Sequence, residues 1–190
     1  MRLKTTRELR ILYIKTALRW LLYYIIIFFG FVFMTSGTWL KPIILIPIAL
    51  RISINNNMYA SAVTGAVCGF LIDTACEKLF GYNAIILTVF CIAVSLIFEF
   101  FLRNKFVSFW IVSAVLSYIQ CWLDYTFYYK IWNYQNAELI FNNYSLRVWA
   151  YTVISSVFVW LLLKIINHFL MPKKHFSIEE TIKHSEQQNH

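Results

Sequence analysis

Apolar residues gather into six runs along the chain, at about 20–38, 41–54, 58–76, 82–102, 106–129 and 146–170. About 20 consecutive apolar residues cross a bilayer as a helix. Five of the runs reach or approach that length. No water is available in a hydrocarbon core to satisfy the backbone, so each run is expected to be helical. The second run is different. It holds about 14 residues, with Pro42 and Pro47 inside it, and at 1.5 Å per residue it covers only about 21 Å of a hydrocarbon core roughly 30 Å thick. A re-entrant or broken segment is as compatible with that length as a crossing.

The placement of lysine and arginine decides between the two. If all six runs cross and the N-terminus is cytoplasmic, the inside holds Arg2, Lys4, Arg7, Arg10, Lys15, Arg19, Arg51, Arg103, Lys105, Lys164, Lys173, Lys174 and Lys183. The outside holds Lys41, Lys78, Lys130 and Arg147, a split of 13 to 4. If run 41–54 turns back, everything after it inverts and the split becomes 9 to 8. Basic residues accumulate on the cytoplasmic side of short loops. The expectation is therefore an all-α, polytopic integral membrane protein with six transmembrane helices and both termini in the cytoplasm. The second span is short, and neighbouring helices shield its prolines.

Composition agrees with this picture. The chain is 60% hydrophobic and 14% charged, with mean hydropathy +0.62, against about 45–50% and about 25% in ordinary soluble domains. Its net charge of +8 lies at the ends of the apolar runs. That distribution suits topology and anionic lipid rather than nucleic acid. Residues 1–19 read as a basic cytoplasmic segment leading into the first span, residues 20–171 as the membrane domain, and residues 172–190 as a polar, flexible cytoplasmic tail. The first run lacks the short apolar region and A-x-A-like site of a cleaved signal, so it is expected to be retained. Cys68, Cys76, Cys91 and Cys121 all sit in apolar surroundings without a CxxC pair and read as small buried hydrophobes.

Candidate chemistry is sparse. On a helix, Ser61, Gly65, Gly69 and Asp73 follow one another at intervals of four and share one face. Small residues let helices approach closely in lipid, and Gly65 and Gly69 form a GxxxG pair. A carboxylate within a span faces a protein interior or wet cavity and has a partner. Asp73 is expected to accept hydrogen bonds from adjacent helices or to pair with Lys78. No chain of ionisable residues accompanies it as proton transport would require. Gly81 allows a tight turn, and Asn83 can hydrogen-bond near the start of the fourth span. Glu99 and Arg103 are four apart in the favourable order for a helix pair. Asp124 reads first as interfacial and water-reached, then as a buried interhelical contact. Residues 118–134 hold eight aromatics in seventeen positions, an aromatic belt or a docking surface. Trp122, Tyr125, Tyr128, Tyr129 and Trp132 are its candidate partner- or lipid-facing members.

No catalytic, metal or cofactor site is read from the chain. His168, His175, His184 and His190 all lie at or beyond the end of the last span. No H-E-x-x-H, Walker loop or dinucleotide fingerprint occurs.

The order Gly65-xxx-Gly69-Phe-Leu-Ile-Asp73, followed by Phe80-Gly81-Tyr82-Asn83-Ala84, resembles the MreD family of bacterial rod shape-determining membrane proteins. The motif covers about 20 residues, while length and topology agree over nearly the whole chain. The family usually has glycine or serine near the outer turn, where this chain has Cys76-Glu77-Lys78. The resemblance implies a non-enzymatic plasma-membrane scaffold for cell elongation and lateral peptidoglycan synthesis. It would pair with MreC and, through the complex, work with MreB, RodA and the elongation transpeptidase. It also implies a fold similar to the substrate-binding subunits of energy-coupling-factor transporters. Substrate capture for a vitamin transporter is therefore the alternative reading.

Overall fold

The computed structural model describes residues 6–36, 42–100, 105–132, 139 and 141–170. Among them there are helices and turns and no strand. The helices are α1 (Thr6–Thr35), α2 (Leu45–Ser53), α3 (Met58–Ala75), α4 (Tyr82–Phe100), α5 (Lys105–Tyr125) and α6 (Leu146–Leu170). One π-helical turn, Thr126–Lys130, extends α5, and another, Phe141–Ser145, leads into α6. Five stretches are long and apolar enough to cross a membrane: Tyr13–Thr35, Met58–Ala75, Tyr82–Phe100, Phe106–Lys130 and Phe141–Leu170.

Each long helix buries one narrow stripe. In α1 it is Arg19, Tyr23, Ile27 and Gly30. In α6 it is Val148, Thr152, Ser156, Val159, Leu163 and Asn167. These spacings of three and four define a single helix face. The outward faces are apolar too: Phe28, Phe29, Ile85, Phe158 and Phe169 are all exposed. Stripes carrying serine, threonine, asparagine and arginine inside, with phenylalanine and isoleucine outside, invert the water-soluble pattern. The bundle is built for an apolar solvent, as the composition predicts.

The second apolar run becomes the centre of the bundle. All nine residues of α2 are buried, and α2 touches each of the other five helices. Pro47 falls in its first turn, where the missing N–H costs no helical hydrogen bond. Nine residues rise only about 14 Å, yet the segment as a whole reaches further. The Ile43 N–H donates to Thr152 Oγ1 at 3.0 Å. Past the other end of α2, Asn56 Oδ1 accepts from Arg19, one turn before Tyr23, whose hydroxyl donates to Asn167. Residues 42–56 thus run from the level of Thr152 to that of Asn167, a depth of about 22 Å at 1.5 Å per residue. The flanking turns, together with the helix, make up the depth.

Pairings elsewhere fix the directions. Phe106 packs against Trp160 with ring centroids 4.4 Å apart, the Trp149 indole N–H donates to the Ala114 carbonyl, and Tyr125 meets Phe141. So α5 and α6 are antiparallel. Gln120, near the end of α5, meets Asn83 at the start of α4. The chain reverses at each successive helix. One end of the bundle gathers the α3–α4 turn and the end of α5; the other gathers Arg19, Arg51, Asn56, Ser95 and Asn167.

α1 runs without a break through Arg19 and Trp20, where the sequence reading placed the boundary between the basic segment and the membrane domain. Arg103, Tyr134 and the tail from residue 171 lie outside the described residues, and with them the expected Glu99–Arg103 pair.

Candidate functional site

The Ser61–Gly65–Gly69–Asp73 stripe faces α4. A Cβ on Gly65 would lie 2.8 Å from the Leu87 carbonyl oxygen and 2.9 Å from Thr88 Cα. On Gly69 it would lie 2.6 Å from both the Ala84 nitrogen and the Asn83 carbonyl oxygen. These are backbone atoms, which no rotamer change can move aside. Glycine at both positions is what lets α3 and α4 touch backbone to backbone, the close approach that packing in lipid rewards. Ser61 continues the stripe at the other end, donating to the Asn57 carbonyl of its own helix and the Ser53 carbonyl of α2.

Asp73 is the last member of the stripe, 1% exposed. Its Oδ2 accepts the Gly81 N–H at 2.8 Å. Its Oδ1 accepts the Asn83 N–H at 3.1 Å and the Asn83 amide at 2.7 Å. Gly81 immediately precedes α4 and Asn83 lies in its first turn, where N–H groups have no partner within the helix. Asp73 therefore caps α4 from the neighbouring helix, with its negative charge at the positive end of the α4 dipole. Asn83 Oδ1 in turn accepts from Gln120, so one carboxylate ties α3, α4 and α5 together.

The turn between α3 and α4 is shaped for this. The Lys78 N–H donates to the Asp73 carbonyl at 2.9 Å, closing the end of α3 with the bond that marks a left-handed C-cap. The left-handed residue is Glu77, at φ 51°, where glycine is preferred. The Cys76-Glu77-Lys78 departure thus falls on the position that most favours glycine. Gly81 has φ 95°, which requires glycine.

Lys78 does not pair with Asp73. Its Nζ lies 2.5 Å from Asp124 Oδ2 on α5, with the two side chains 20% and 14% exposed. Burial opposes the charge on Lys78, but the Asp124 carboxylate outweighs it and holds the ammonium above the ordinary lysine range. Asp124 is therefore an interhelical contact, the second of the two readings its position allowed. The Leu79 N–H donates to the Tyr128 hydroxyl at 2.9 Å, and Tyr82 stacks on Phe127 at 4.8 Å.

The aromatic stretch splits. Tyr128 turns onto the α3–α4 turn, and Tyr125 packs against Tyr129 and Phe141. Trp122 and Trp132 point outward, 48% and 72% exposed. A residue type enriched at the membrane boundary does not by itself say which rings turn inward.

Two groups of residues escaped the sequence reading. The first is a polar stripe on α5: Ser113, Ser117, Gln120 and Asp124. Ser113 and Ser117 are 1% exposed, and both hydroxyls, with Gln120 Oε1 and Asp124 Oδ1, have no hydrogen-bond partner. Its 4-3-4 spacing is a helix-face signal that could have been found. The second group lies at the opposite end. Arg51 and Arg19 are 5% and 8% exposed, and among the described residues neither has an acidic partner. The Arg51 guanidinium lies 6.0 Å from the Trp160 ring and that of Arg19 lies 5.9 Å from the Tyr23 ring. A desolvated cation–π contact contributes about 2 kcal/mol, against several kcal/mol for burying an ion. The aromatic rings do not offset the burial.

Comparison of the chain with protein-family models, with curated proteins and with solved structures finds no match.

Proposed function

We propose that this chain is a non-enzymatic scaffold subunit of a bacterial cell-elongation complex, crossing the plasma membrane six times with both termini in the cytoplasm. It would hold a bitopic partner of the MreC type and, through it, act with MreB, RodA and the elongation transpeptidase. The observation that carries the reading is the Gly65–Gly69–Asp73 stripe seated on α4, its carboxylate closing the Gly81–Asn83 turn. This is the motif on which the resemblance to MreD rests, and here it forms a rigid, self-satisfied element suited to holding helices in place. Exposed α1 faces and the outward Trp122 and Trp132 offer apolar surface to lipid or to a partner's helix.

Affinity purification in mild detergent, with identification of co-purifying proteins, tests the proposal. Recovery of an MreC-type partner, and rounded cells with reduced recovery for Asp73→Ala, are the expected results. Normal rods with undiminished partner recovery would count against it. The buried polar stripe Ser113–Ser117–Gln120–Asp124, four of whose oxygens have no hydrogen-bond partner, favours the second reading, a substrate-capture subunit similar to those of energy-coupling-factor transporters. Co-purification of a transporter ATPase, with a small polar ligand released on denaturation, would select that reading.

A further inference from the structure

The arginine end of the bundle has a one-sided imbalance. Arg19 Nε, Arg51 Nε, Arg51 Nη1, Trp160 Nε1 and Asn167 Nδ2 are all buried without an acceptor. They form one cluster. The Tyr23 hydroxyl donates to Asn167 Oδ1 and lies within electrostatic reach of both arginines. The Trp160 ring lies beside Arg51, and on it also sits the Lys164 ammonium, 4.6 Å from the centroid. Every unmatched group is an N–H donor, and three of the five belong to cations. Unsatisfied buried donors are rare in folded chains, and a buried arginine is ordinarily paired.

The missing component is an anion able to accept from several directions. Phosphate meets that description: its oxygens match the guanidinium fork, and arginine is the preferred residue for holding it. The cluster also lies where such a group is abundant. It sits towards the last turns of α6, on the side to which the charge distribution assigns the cytoplasmic leaflet, rich in anionic lipid.

We propose that Arg19 and Arg51 form a binding site for the phosphate group of an anionic lipid of the inner leaflet. The proposal rests on the membrane topology above and is independent of the elongation partners. Partner recovery and lipid binding can therefore fail separately.

The test uses the full chain, purified in mild detergent and stripped of lipid. Native mass spectrometry and thermal unfolding are followed on addition of phosphatidylglycerol, phosphatidylcholine or inorganic phosphate. Phosphatidylglycerol is expected to bind roughly tenfold more tightly than phosphatidylcholine and to raise the unfolding temperature, as charge-assisted bidentate contacts would produce. Arg51→Gln and Arg19→Gln are expected to abolish that preference. Arg7→Gln with Arg10→Gln, which removes basic charge elsewhere on the same side, is expected to leave most of it. Should Arg51→Gln fail to fold, Arg51→Lys keeps the charge but loses the fork and is expected to lower the preference. An Arg51-dependent response to inorganic phosphate, with none to phosphatidylglycerol, would assign the site to a soluble anion and overturn the lipid source. An equal response in wild type and variants, or no response to any of the three, overturns the site itself.

Discussion

The two ends of the bundle treat buried charge in opposite ways. At the α3–α4 end, Asp73 accepts three hydrogen bonds and Lys78 meets Asp124, so each of these buried charges is answered from within the chain. At the other end two buried arginines and their neighbours hold five donors with no acceptor. Both ends place charge among apolar helices. The difference is where the counter-charge resides. A polar group satisfied by its own chain stabilises the fold. A cation left unanswered costs stability and is available to an external anion.

Replacing Gly69 by leucine tests the self-satisfied end most severely. The new side chain meets the α4 backbone, and a loss of at least about 3 kcal/mol is expected, read as absence of a monodisperse peak after solubilisation. Asp73→Ala follows, at about 2–3 kcal/mol, because the first-turn N–H groups of α4 lose their acceptor while still buried; Asp73→Asn, which keeps an acceptor oxygen, should lose less. Thermal unfolding in detergent measures both. At the arginine end the sign should reverse. Arg51→Met in lipid-stripped protein is expected to be neutral or stabilising, as replacements of poorly compensated buried ions are; a loss comparable to that of Asp73→Ala would erase the contrast between the ends.

Smaller effects sharpen it further. A Lys78/Asp124 double-mutant cycle should give a coupling of about 1–2 kcal/mol. Because the folded Lys78 pKa is raised, its contribution is fully present below the unfolded lysine value, about 10.4, and is lost as pH rises through the folded one. The unfolding-temperature gap between wild type and Lys78→Met should therefore persist through neutral pH and close only in strong alkali. Glu77→Gly should stabilise by roughly 1 kcal/mol, the cost of a left-handed L-residue less the chain entropy of glycine.

The helical, apolar character of the chain was legible because it depends only on runs of residues and the backbone's need for internal hydrogen bonds. The Gly65–Gly69–Asp73 stripe was legible for a related reason: positions four apart on a helix share a face whatever surrounds them. That an acid so placed would cap the next helix was one step further, since it depends on how tightly the Gly81 turn folds back. The assignment of Asp124 to Lys78 depends on α5 packing beside that turn, and the 46 positions separating the two carry no local signal of it. The burial of all of α2 is likewise a property of its five neighbours.

Arg51 shows the division most clearly. In sequence it is one basic residue among the 17 whose placement sets the expected topology. Its enclosure beside Trp160 and Tyr23 arises only when α1, α2 and α6 converge. Local sequence determines which segments are helical and which faces are small, because those properties are set over one or two helical turns. Tertiary structure alone decides which polar groups find partners, because that is set by distances between residues far apart in the chain.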